Sequence, residues 1–209
     1  MSFAELLAHP DVVEVVELRS SVGFLAFHGG SLEKATDVVA AGAARRSGAS
    51  LYAVLQPPGL RWHIPSHTVD PAHSAALASF LDQVEVVVAV HGYGRHGRWT
   101  DVLLGGGNRE LAASMARDLS EHVPGYRFVA DLAEIPAALR GLHPDNPVNR
   151  PPGGGVQLEL PPRIRGLGPV WADWEGPGLP PPMEALIQGL AAVARSMAAR
   201  VSPGARPAG

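Results

Sequence analysis

The chain has 209 residues, 46% of them hydrophobic and 18% charged, with a formal net charge of -3 at pH 7 and no cysteine. That apolar content fills the core of one domain and argues against disorder, while the mild negative charge supplies no global basic field for nucleic acid. Without cysteine, disulfides, thiolate nucleophiles and thiolate metal sites are excluded, so any metal must be held by His, Asp or Glu.

The first residues, MSFAELLAHPDVVEV, lack a basic start followed by a long apolar core. Nor does any run of about 18 apolar residues occur, so the expectation is a soluble, cytoplasmic protein without a membrane partner. Short β-branched runs alternate with Ala- and Leu-rich amphipathic stretches, the pattern of helices covering a largely parallel sheet. The predicted class is α/β, a single domain over residues 1–200 with a mixed, largely parallel sheet flanked by helices, and a disordered tail over 201–209.

In chain order, strands are predicted at Val12–Leu18 and Val22–Phe27, then a helix at Leu32–Arg46 with Ser31 as its N-cap and Glu33 in its first turn. A strand at Ser50–Gln56 leads into a Pro-rich connection, followed by a helix at Ala72–Leu81 and strands at Val84–Val90 and Thr100–Leu104. Next come a helix at Arg109–His122, a strand at Tyr126–Ala130, a short helical turn at Ile135–Leu139 and a breaker-rich stretch ending in a strand at Val156–Leu160. The segment 169–182 contains Trp171 and Trp174 and reads as packing, a lid or a dimer contact. A final helix at Met183–Arg200 carries Leu186, Leu190 and Val193 on one side, which suits docking on the domain or self-association.

Ligands of open α/β sheets bind beyond the carboxyl ends of the strands. His28 follows VGFLAF, His91 follows VEVVVAV, and Glu159 lies near the end of GVQLEL. A catalytic zinc needs about three protein ligands and an open position, and His28, Glu33 and His91 supply a His₂Glu set. Two glycines after His28 allow the sharp turn that would return the Glu33 carboxylate toward the metal. Zinc lowers the pKa of water toward about 7, and Glu159 would take that proton and hand it to a leaving amine. Each residue also has a plainer reading: Glu33 as a helix-dipole partner, the histidines as structural strand ends, Glu159 as an ion-pair partner of Arg163 or Arg165.

The stretch Gly92-Tyr-Gly94-Arg-His-Gly97 is a literal G-x-G-x-x-G after a strand. It runs into RWTDVLL, a strand pattern, whereas a dinucleotide fingerprint opens a helix. A substrate bearing free carboxylates calls for guanidinium partners, for which Arg95, Arg98 and Arg150 are candidates and Arg163 a weaker one. His63 is a candidate for hydrogen bonding to substrate or to a tetrahedral oxyanion.

The segments HGGSLE, VAVHGYG, NPVNR and GVQLEL, in this order, resemble those of the poly-gamma-glutamate hydrolase family. That resemblance runs from about Val22 to Arg165 and includes an H-I-x-S stretch at His63–Ser66 and the Asn149–Arg150 pair. It implies a zinc-dependent peptidase related in fold and metal site to carboxypeptidase A. Carried over by motif, the metal ligands would be His28, Glu33 and His91, the catalytic residue Glu159, and Asn149 and Arg150 would join Arg95 and His63 as substrate-binding candidates. The chain departs from the family pattern after Glu33, where Lys34-Ala35-Thr36-Asp37 replaces Pro-Gly and a hydroxyl-Glu pair, and at Pro65, which replaces a hydroxyl residue. The expected activity is zinc-dependent cleavage of amide bonds in γ-linked glutamate polymer or a related peptide. The alternatives are a non-catalytic polyanion-binding protein and a zinc amidase acting on a small acyl-amino acid or a cell-wall peptide.

Overall fold

The computed structural model describes residues 2–168 and 176–201. The tail and Trp171 and Trp174, on which readings were offered above, lie outside the described residues.

Among the described residues, seven strands form one mixed sheet: β1 (Val13–Glu17), β2 (Val22–Gly30), β3 (Ser50–Gln56), β4 (Val86–Gly92), β5 (Asp101–Leu104), β6 (Arg127–Val129) and β7 (Gly155–Leu160), in the spatial order β1-β3-β2-β4-β7-β5-β6. The central pairs β3-β2, β2-β4 and β4-β7 are parallel, as is β5-β6, while β1-β3 and β5-β7 are antiparallel. Each central strand is buried on both faces, which is why these strands read as nearly continuous apolar runs.

Among the described residues, five α-helices cover the sheet: α1 (Phe3–Leu7), α2 (Thr36–Ser47), α3 (Ala75–Gln83), α4 (Arg109–His122) and α5 (Pro181–Val201). On one face, Val39 and Ala43 of α2, Met115 and Leu119 of α4, and Leu186 and Leu190 of α5 pack against Phe24, Val88 and Leu158. On the other, Phe3 and Leu6 of α1 and Leu77 and Phe80 of α3 pack against Leu25, Phe27 and Val87. The start of α4 is set by Asn108, whose side chain accepts from Leu111 N–H, and the start of α3 by Ser74, which accepts from Leu77 N–H. The small helix α1 went unpredicted, although Ser2 and Glu5 form a full capping box.

One expectation is corrected. The helix after β2 begins at Thr36 rather than Leu32, and its N-cap is Ala35 in the left-handed conformation at φ 72°. Gly30 is also left-handed at φ 68°, so the chain between them makes a tight turn in which Glu33 N–H donates to His28 O at 2.9 Å. A helix cannot pass through left-handed residues, and Ser31 instead ties two chain segments together by donating its hydroxyl to Pro57 O at 2.7 Å. Glu33 therefore sits in the turn, not on the helix.

Candidate metal centre and catalytic cleft

The carboxyl ends of β2, β4 and β7 open into a cleft of about 490 Å³ lined by His28, Glu33, His63, His91, Gln157 and Glu159, among others. Strict alternation from Leu25 and Phe27 would turn His28 to the opposite face of the sheet. The β2-β3 register slips between Ala26 and Gly29, where three steps on β2 oppose two on β3. This bulge lets Phe27, His28 and His91 gather, their ring centroids 4.9–5.0 Å apart. On the neighbouring strands His91 stands directly beside Glu159 in register. Gln157, two residues before Glu159, shares its face.

Glu33 links the two histidines. Its Oε1 lies 3.0 Å from His28 Nδ1 and its Oε2 lies 3.4 Å from His91 Nδ1, while Gly92 N–H donates to Oε2 at 2.9 Å. Burial opposes the charge on Glu33, but His28 and His91 outweigh it and hold the carboxyl well below the usual range. Burial also opposes protonation of His91, yet Glu33 raises its pKa. Burial dominates at Glu159 and raises its pKa, with His91 opposing and Glu33 reinforcing the shift.

The donor chemistry fits a cation. Ligand atoms of His28, Glu33 and His91 lie within 4.8 Å of one another. His28 Nε2 is 2.8 Å from Ile64 O and Nδ1 is 3.0 Å from Glu33 Oε1, so both ring nitrogens face acceptors. A neutral imidazole has one N–H, and giving it to Ile64 leaves a lone pair facing a carboxylate oxygen, a repulsion that a metal ion would relieve. His91 Nε2 is buried without a hydrogen-bond partner among the described residues.

Behind these residues sits Arg165, 7% exposed. Its guanidinium donates to Leu160 O at 3.2 Å, Lys34 O at 3.0 Å and Tyr93 O at 3.1 Å, joining the chain segments that follow β7, β2 and β4. Gly92 has no room for a side chain because a Cβ there would stand 2.6 Å from Arg165 Cζ. Beside the cleft, Asn146 donates to Gln157 Oε1 at 2.8 Å and Gln157 donates to Glu159 Oε1 at 2.8 Å. This relay orients one carboxylate oxygen and leaves Oε2 outside it.

His63 joins the group, its ring 4.7 Å from that of His28, and burial followed by repulsion from His28 lowers its pKa. Other candidates lie apart. Arg95 is exposed on the loop after β4, and Arg98 faces Asp101 at 3.7 Å. Asn149 accepts from Gly107 N–H and donates to Gly141 O and His143 O, while Arg150 donates to Asp145 O. None of these four lines the cleft. The sequence reasoning missed Gln157, although its position two residues before Glu159 on one strand was a usable signal. It also missed Asn146, His67 and His143, which come from irregular connections.

A model of the family described as poly-gamma-glutamate hydrolase matches residues 1–167. The chain is 30% identical over 138 residues to the SPbeta prophage-derived UPF0714 protein YoqZ of Bacillus subtilis (strain 168), a match that covers 65% of this chain. It covers 47% of YoqZ, so the chain spans about half the length of the curated relative it matches. Among solved structures, a bacteriophage poly-gamma-glutamate hydrolase superposes with a TM-score of 0.74 at 21% identity, covering 92% of this chain and 93% of the other. The zinc-free apo form of YNDL superposes with a TM-score of 0.72 at 20% identity, covering 90% and 91%. These two likenesses show a shared fold.

Proposed function

The chain belongs to the poly-gamma-glutamate hydrolase family, and on that premise we propose that it hydrolyses amide bonds of a γ-linked glutamate chain, with zinc held by His28, Glu33 and His91 and with Glu159 as general base. The observation that carries this reading is the convergence of those three donor groups beside a buried carboxylate at the ends of three adjacent parallel strands.

Zinc bound there would polarise the scissile carbonyl and make water a competent nucleophile near neutral pH. The remaining chemistry belongs to the chain. Glu159 accepts a proton from the attacking water and returns it to the departing amine, so that water is divided between the new carboxylate and the released amino group. Gln157 and Asn146 hold Glu159 in one orientation for both transfers. Ile64 O fixes the tautomer of His28 by accepting from Nε2, which keeps Nδ1 available as a ligand. His63, on the rim of the cleft, would donate to the oxygen that gains charge as the carbonyl becomes tetrahedral.

Incubation of the zinc-loaded protein with γ-linked glutamate polymer tests this reading. Shorter products with an equal number of new amino groups are expected. An unchanged polymer in the presence of a fully loaded site would overturn the substrate assignment.

A further inference from the structure

The substrate in the reading above is a polyanion, yet no lysine or arginine lines the cleft among the described residues. Arg165 is committed to three backbone carbonyls, Arg98 faces Asp101, and Arg150 turns to Asp145. The side chains in the cleft that can carry positive charge are all imidazoles. His28 and His91 belong to the metal centre, and His63 stands against His28. Two remain, His67 and His143.

They come from separate connections. His67 stands on the 3₁₀ turn Ser66–Thr68 between β3 and α3, and His143 on the connection between the Ala137–Leu139 and Pro147–Asn149 turns. Their ring centroids are 4.7 Å apart with 33° between the planes. Both are exposed, at the mouth of the cleft. His143 is oriented from behind: Asp145 N–H donates to its Nδ1 at 3.1 Å, so the neutral ring carries its hydrogen on Nε2. The Asp145 carboxylate stands 3.8 Å from that Nδ1 and is itself faced by Arg150 at 4.0 Å.

We propose that His67 and His143 form a carboxylate-recognition subsite at the cleft mouth, which holds a free carboxylate of the substrate chain while a neighbouring amide lies at the metal centre. The inference rests on the polyglutamate reading. A carboxylate oxygen accepts Nε2–H of His143 and the other oxygen accepts a ring N–H of His67, and each bond strengthens if its imidazole is protonated. Histidines suit a polymer enzyme because they grip more weakly than a bidentate arginine and let the chain move on.

The test is calorimetric titration of zinc-loaded Glu159→Gln protein, with and without the further changes His67→Ala and His143→Ala, against a γ-linked glutamate oligomer and its methyl ester. The expected result is at least tenfold weaker binding of the free acid when both histidines are removed, with equal binding of the ester by the two proteins. The subsite is overturned if binding of the acid is unchanged, or if acid and ester lose affinity equally, because the pair would then shape the cleft without reading charge. Failure of the parent Glu159→Gln protein to bind the acid at all would overturn the polyglutamate reading itself, and the subsite with it. A His67→Gln, His143→Gln pair, whose amides keep a polar donor, should recover part of the lost affinity. Equal thermal midpoints for all variants check that folding is intact.

Discussion

Replacing Arg165 by methionine keeps much of the side chain's length and apolar bulk but deletes the donors that join three strand-end segments. Leu160 O keeps a second donor, Tyr93 N–H at 3.0 Å. Lys34 O and Tyr93 O lose the guanidinium that reaches them at 3.0 and 3.1 Å. A buried polar group left unsatisfied costs about 1–3 kcal/mol, which falls on Tyr93 O, whereas Lys34 is exposed and its carbonyl can turn to water. Burial itself disfavours the guanidinium charge, partly offset by Glu33 and Glu159, so its removal returns some free energy. Tyr93 O stays behind, however, and a net loss of about 1 kcal/mol is expected. With a urea slope of about 2 kcal/mol per molar, the unfolding midpoint should fall by about 0.5 M. The titration is run in chelator, so that metal linkage does not enter the comparison. A midpoint within about 0.2 M of wild type at unchanged slope would refute the idea that the guanidinium holds these segments together.

Glu159→Gln should keep its metal and lose turnover by about 10²–10⁴-fold, since the amide cannot accept the proton; a wild-type rate would remove the general-base role. Gln157→Leu deletes the donor to Glu159 Oε1 and the acceptor for Asn146. A hydrogen bond to a charged group contributes about 1.5–3 kcal/mol, so kcat should fall about tenfold or more at unchanged zinc content. Gly30→Ala places a Cβ 2.3 Å from Gln56 O at φ 68°, whereas Gly48→Ala meets nothing within 4 Å at φ 73°. Both incur the left-handed cost of about 1–2 kcal/mol, and only the first must also push β3 aside, so its melting temperature should fall distinctly further. Equal falls would show that the close approach of β2 to β3 does not matter.

All seven strands were legible because their β-branched runs are bounded by breakers, and Ser50–Gln56 and Arg109–His122 were predicted with the bounds the structure has. The start of α2 was not, because a left-handed alanine leaves no sign in the apolar pattern and Ser31 has an N-cap's chemistry without its place. His28, His91 and Glu159 stood out because a polar residue ending an apolar strand is conspicuous. Glu33 was selected for the right neighbourhood by the wrong local structure, since a turn and not a helix presents it. The bulge that carries His28 to the face of His91 follows from register, which a single strand's sequence does not state. Arg95, Arg98 and Arg150 had the right charge for a carboxylate, but charge alone does not say which way a loop faces, and none of them lines the cleft. The residues overlooked there, His67, His143 and Asn146, lie on connections without periodicity.

His28, Glu33 and His91 are proposed to form one metal centre. Elemental mass spectrometry on untagged protein, after zinc loading and removal of excess, tests it most directly when wild type is compared with His91→Ala. Near one zinc per chain in wild type, with most of it lost in the variant, is the predicted result. No bound zinc in wild type, or equal zinc in both proteins, would contradict it.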